Sequence, residues 1–329
     1  MISSKTYNYT VFGIHSNAER YSWAACHLFV LLSSLVGDTL IIHASCYKEA
    51  FKLNKFIVTV IQYIAASDIV YAIIGVLPRT VSLITNSWVL GDALCYARIY
   101  LGYFFYVAGM WLIAVLTLSK FLLLKYSAIC GNWSPNMAHI ICSLTLIPSV
   151  TMPILFLIVD KDDIDFDYRT YTCDYGFEAT TWEKLFSVIA IIIVVIPNFV
   201  IVATTIPTLK YLADARKSAR RVQGSVPWQG AATVALTSVV YCVSTLPTFV
   251  YFIGISSYIH LARIAKFLLM INIMSNFYIY TLTIKSFRRF ILSKIPSAAV
   301  QPTSSKTSRN KMSTGKKHLQ VHIIFFLNL

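Results

Sequence analysis

The chain has 329 residues, is 57% hydrophobic and only 13% charged, and carries a net charge of +14; its mean hydropathy is +0.66. A soluble domain needs more polar surface than that, so the composition excludes a water-soluble globular protein. It leaves a polytopic membrane protein, because a bilayer core of ~30 Å takes about 20 helical residues and apolar runs of that length recur along the chain.

The N-terminal stretch MISSKTYNYT is short and polar and holds the sequon Asn8-Tyr9-Thr10, glycosylatable at Asn8 if it lies outside the cell. Seven apolar runs follow, at 22–45, 56–78, 96–124, 137–158, 184–207, 229–253 and 259–284. They are expected to be helices, since exposed backbone cannot stay unpaired in lipid and the alternation of a barrel is absent. The fold class expected is therefore an all-α membrane protein, a seven-transmembrane helix bundle. Its parts are an outer terminus over 1–21, the spanning domain over 22–284, a short amphipathic eighth helix over 285–295 and a disordered tail over 296–329.

Segment one carries Asp38 and segment two carries Asp68, and a carboxylate at that depth is costly enough to mark an interior, functional position. Segment three opens after Cys95 and carries Arg98, Gly102 and Tyr103. Lys120 closes it 25 residues on, which at 1.5 Å per residue is ~37 Å, the thickness of the membrane. The loop 159–183 is the one acidic segment, eight Asp or Glu against Lys161 and Arg169; it reads either as a solvated loop or as a negative rim that attracts cations. Cys95 and Cys173 are the two cysteines at outer positions, where an oxidising exterior favours a disulfide between them.

Segment six carries Pro247, Phe249 and Phe252. Segment seven carries Lys266, then Asn272 and Asn276 one turn apart, then Tyr280. The two Asn could reach Asp68 and hold a small cation or a proton, or form a hydrogen-bonded packing cluster. Beyond it, Phe287, Phe290 and Ile291 fall on one helical face with Lys285, Arg288, Arg289 and Lys294 free for lipid headgroups. The tail is Ser/Thr-rich and basic, and should be disordered over 297–318.

Lys and Arg set the orientation. The loops after segments one, three, five and seven, with the tail, hold 19 of the 28, against 9 elsewhere. The N-terminus is expected outside and the tail inside. Anionic inner-leaflet lipid then accounts for the basic excess, and no nucleic-acid partner is required. The second sequon, at Asn132, falls inside and should stay bare. No metal, nucleophile or phosphate-loop constellation marks an enzyme.

An Asp in segment two, Trp88-x-x-Gly91-x-x-x-Cys95, a Cys in the next outer loop, Pro247, and Asn276-x-x-x-Tyr280 followed by Phe287-Arg288 stand in an order that resembles the rhodopsin-like family of G-protein-coupled receptors, over residues 30–290. The resemblance implies a plasma-membrane receptor that binds an extracellular small molecule or peptide and engages a heterotrimeric G protein, and then arrestin through the Ser/Thr-rich tail. It implies a sodium-like site at Asp68 with Asp38, Asn272 and Asn276, and switch residues at Ser119, Lys120, Phe121, Pro247 and Tyr280. Arg98, Gly102, Tyr103, Phe249, Phe252 and Lys266 would line the outer pocket. No retinal is expected, since Met270 stands where opsins carry the Lys, and Gly102 stands where amine receptors carry an Asp.

The departures are as specific. Phe277 replaces the Pro after Asn276, Asp38 replaces an Asn, Leu246 stands before Pro247 with Ser244-Thr245 ahead of it, and Ser119-Lys120-Phe121 replaces Asp-Arg-Tyr. They keep two rival readings open: a receptor-shaped protein with weak or no coupling, acting as a decoy or partner subunit, and a transporter. The transporter would want inverted repeats or broken helices, and none shows.

Overall fold

The computed structural model describes residues 16–47, 50–158, 164–167, 170–175, 181–219, 228–252 and 259–294. Segment one is α1 (Asn17–Ser45). It starts five residues before the apolar run, because Ser16 caps it by accepting from the Glu19 amide. Segment two is α2 (Lys55–Tyr71), a π-helical turn (Ala72–Val76) and α3 (Leu77–Thr85). It runs past Pro78, which sits at the start of α3, where its missing N–H costs little. Segment three is α4 (Gly91–Lys125), and a single turn, α5 (Ser127–Cys130), follows it.

Segment four comes in two pieces, α6 (Pro135–Leu144) and α7 (Leu146–Ile158). Pro148 has no amide to donate to Leu144, and the ladder breaks at Thr145. Segment five is α8 (Thr181–Ala219), which carries Pro197 and Pro207 inside it and continues well beyond the expected end. Segments six and seven are α9 (Trp228–Phe252) and α10 (Ile259–Thr283), and α11 (Lys285–Lys294) follows directly.

Five of these helices are long and apolar enough to cross a membrane: Asn17–Ser45, Lys55–Thr85, Gly91–Lys125, Ile192–Tyr211 and Arg263–Thr283. The bundle has its apolar side chains on both surfaces. Phe56, Ile61, Ile64, Ile99, Met110 and Leu116 fill the centre, while Phe29, Val36, Ile147, Phe199 and Ile206 are exposed on the outside, the distribution expected where the solvent is lipid. Several buried hydroxyls donate within their own helix: Thr205 to the Ile201 carbonyl, Thr208 to Thr204, and Ser149 to Thr145.

The acidic loop is not uniformly irregular. It contains an antiparallel hairpin, β1 (Ile164–Asp167) and β2 (Thr172–Tyr175), with Phe166 opposite Cys173. The Cys95–Cys173 disulfide joins β2 to segment three. Tyr171 Oη donates to Asn86 Oδ1 at 3.1 Å, and Lys266 Nζ donates to Thr170 Oγ1 at 3.1 Å. Three elements thus hold the hairpin over one mouth of the bundle.

At the other end α11 packs back onto segment one and its loop. Phe287 is fully buried, stacked on Phe51 with ring centres 4.9 Å apart and edge-on to Phe277 at 6.2 Å. Phe290 meets Tyr47 at 5.1 Å, and Lys294 Nζ lies 5.6 Å from the Tyr47 ring centre, within cation–π range.

Candidate functional site in the bundle core

Asp68 and Asn276 meet across segments two and seven, Asn276 Nδ2 donating to Asp68 Oδ2 at 2.8 Å. Asp38 is fully buried beside them, close enough for its charge to act on Asp68, and its Oδ2 accepts from Ser34 Oγ at 2.7 Å. Both carboxylates also act on Tyr280, one turn below Asn276 and buried at 1% exposure. Three oxygens here have no hydrogen-bond partner: Asp38 Oδ1, Asn276 Oδ1 and Tyr280 Oη. The cluster is rich in acceptors and short of donors. Carboxylate, amide and phenol oxygens suit a hard cation, and two adjacent buried carboxylates suit a shared proton.

Asn272 does not join this cluster through its side chain. Among the described residues it makes no hydrogen bond to Asp68, and its carbonyl accepts from Ser275 Oγ at 2.7 Å. It is Asn276, a full turn deeper, that falls level with Asp68. Ser34 was not singled out by sequence, yet it sits four residues before Asp38, the spacing that places a hydroxyl on the same helix face.

The inner end of segment three holds Ser119 and Lys120, buried at 4% and 5% exposure. Lys120 Nζ is buried and has no hydrogen-bond partner among the described residues. Phe121 is half-buried, with Lys125 Nζ 5.8 Å from its ring centre. Pro247 is half-buried inside α9. Thr233 and Thr283 share a 2.7 Å hydrogen bond that ties segment six to segment seven.

At the outer end Arg98 is buried and lies over Gly102: its Nη1 would be 3.7 Å from a Cβ at that position. Tyr103 is half-buried in the same helix. Lys266 faces the hairpin, as described above. Phe249 and Phe252 lie in α9; their side chains, like Asn8 and the tail after Lys294, fall outside the described residues. Sequence reading missed Arg79, buried at 3% exposure with its Nη1 3.8 Å from Met270 Sδ. The apolar run ends at residue 78, one residue before it, while the helix continues to Thr85.

The chain matches the model of the 7 transmembrane receptor (rhodopsin family) over residues 37–261. The crystal structure of squid rhodopsin has the same fold, with a TM-score of 0.68 over 87% of this chain and 87% of that one, at 17% sequence identity. No curated protein sequence matches the chain. With seven-helix geometry, the interhelical polar cluster and a family match over most of its length, the chain belongs to the rhodopsin family of seven-transmembrane receptors.

Proposed function

We propose that the protein is a plasma-membrane receptor, N-terminus outside, that senses an extracellular small molecule or peptide and passes the signal to a heterotrimeric G protein. The observation that carries this reading is the Asp68–Asn276 hydrogen bond with Tyr280 Oη unpartnered one turn below. A buried network with open valences has a second arrangement available to it, and a ligand that binds that arrangement better shifts the population toward it. Sodium near Asp68, with Asp38 supplying a second carboxylate, would favour the resting packing. The basic face of α11 would lie on anionic lipid, and a phosphorylated tail would recruit arrestin.

Lys120 favours a second reading, that coupling is weak and the protein acts as a decoy or partner subunit. Its side chain is buried beside a serine, and among the described residues its Nζ has no hydrogen-bond partner. A ligand screen with a promiscuous G protein, read as nucleotide exchange, tests both. Ligand-driven exchange supports the receptor reading; binding without exchange supports the decoy; uptake of ligand into sealed vesicles would replace both with a transporter.

A further inference from the structure

Five cationic side chains gather in the outer half of the bundle: Arg20 from segment one, Arg79 from two, Arg98 from three, and Arg263 and Lys266 from seven. The four arginines are exposed by 8% or less and Lys266 is half-buried. Arg263, Lys266 and Met270 fall at i, i+3 and i+7 of one helix and share a face, and Arg79 reaches that face at Met270. The hairpin spans the group. Its Thr170 holds Lys266, and its Cys173 is bonded one helical turn above Arg98.

Glu19 and Asp167 both act on Arg263, and Glu19 lies 3.6 Å from it. Arg20 is turned to the Ile84 carbonyl and to Asn17. Arg98 Nε is buried with no hydrogen-bond partner among the described residues. Gathering like charges inside a membrane bundle destabilises it, and charges at this depth are kept where they bind something. Arginine forks match the two oxygens of a carboxylate or phosphate.

We propose that the extracellular ligand is an anion, and that its carboxylate or phosphate group binds beneath the hairpin between Arg98, Arg79 and Lys266. This rests on the receptor reading and names its ligand class. A cationic ligand meets the wrong field in this layer, whatever the acidic rim does to its approach. The half-buried Lys266 and the hydroxyl of Thr170 mark the side from which the anion enters.

The test is thermal unfolding of the full-length, detergent-purified protein with succinate, adenosine monophosphate, their uncharged counterparts succinamide and adenosine, and putrescine. Succinate or the monophosphate should raise the melting temperature in a saturable way where the neutral compounds do not. Arg98→Gln should weaken that effect roughly tenfold or more, with Arg98→Lys in between. Without ligand, Arg98→Gln should melt at or above the parent temperature, since it removes a buried cation; a purely structural Arg98 would lower it. Lys266→Gln serves if that variant does not fold.

The proposal is overturned if both anions act no better than their neutral counterparts, if putrescine stabilises more, or if Arg98→Gln lowers the ligand-free melting temperature and leaves the anion effect intact. Nucleotide exchange on the same panel separates the two ideas. Stabilisation by anions without exchange keeps the site and sinks the signalling reading. Exchange driven by a neutral or cationic compound does the reverse.

Discussion

Tyr171 and Asn86 are the two described non-glycine residues with left-handed backbones, at φ 53° and 60°, and they are hydrogen-bonded to each other. Asn86 ends segment two and Tyr171 turns the hairpin. Asn tolerates this conformation through its short polar side chain, whereas Tyr adopts it only where its surroundings insist. The phenol contact is one such constraint, and burial of Tyr171 at 3% exposure is another. Tyr171→Phe keeps the burial and loses the bond, so it should cost about 1 kcal/mol. Asn86→Gly should cost a similar amount, because glycine accepts the backbone, and Asn86→Ala should cost more. Thermal unfolding of the three variants checks the order; a neutral Tyr171→Phe would show that the bond does not hold the hairpin.

At Gly37 segment one packs tightly against segment seven. A Cβ there would lie 2.6 Å from Phe277 Cβ and 2.8 Å from its Cγ, and neither atom is the free end of a flexible chain. Phe277 occupies the position where the family element has a proline, and its ring also meets Phe287. The phenylalanine therefore holds segments one and seven and α11 together at one point. Gly37→Ala should destabilise by about 1–3 kcal/mol through overpacking. Adding Phe277→Ala should recover part of the loss, and a double-mutant cycle read by thermal unfolding should give a coupling above about 0.5 kcal/mol. Additive effects would mean the helices part without strain.

Much of this was legible in the sequence, for reasons that differ by element. The seven segments announce themselves by apolar length alone, a signal imposed by the bilayer. Their ends do not: α1 begins at a serine cap, segment two passes a proline through a π-helical turn, and α8 runs on past Pro207. Hydropathy ends where charge begins, but the backbone continues while it can hydrogen-bond. That is why the apolar run of segment two stops one residue short of Arg79. Cys95 with Cys173 could be paired beforehand, because outer cysteines admit few partners; for Asp68 the sequence offered both Asn272 and Asn276, and only Asn276 bonds to it. Contacts such as Gly37 with Phe277 depend on helix rotation, which one sequence does not reveal.

The Cys95–Cys173 bond closes a loop with a sequence separation of 78 residues. In the chain-entropy account, restricting a loop of that length in the unfolded chain is worth about 4–5 kcal/mol. Cys95→Ser, Cys173→Ser and the double variant should lose surface expression to a similar extent, since each removes the same single bond. A double variant markedly worse than either single one would mean that the cysteines also act separately.

Asp68→Asn tests the core cluster. The new amide oxygen can still accept from Asn276 Nδ2, so surface expression should stay near the parent level. The charge that would hold sodium is gone, so any effect of sodium on agonist affinity should vanish. Asp68→Ala leaves the Asn276 amide without this acceptor and should lower expression as well. If sodium shifts affinity equally in the parent and in Asp68→Asn, the ion does not sit at Asp68.

Lys120 offers the sharpest test of the proposed coupling. In the family pattern an Arg at this position is held at rest by the acidic residue before it, and reaches the G protein when the bundle opens. Here Ser119 offers no charge, and the Lys120 ammonium is buried without a partner. Two opposed effects follow. The resting state lacks an ion pair that, at such an interface, is worth at most ~1 kcal/mol. The open state presents an ammonium in place of a planar five-donor fork, and charge-assisted hydrogen bonds to a partner helix's carbonyls reach ~1.5–3 kcal/mol. Weaker engagement outweighs easier opening. Agonist-driven nucleotide exchange should therefore be low and should rise several-fold in Lys120→Arg at matched surface expression. Lys120→Met should lose exchange while melting higher, because it removes an unpaired buried cation. If Lys120→Arg leaves exchange unchanged or lowers it, Lys120 is not the residue that meets the partner, and the decoy reading gains.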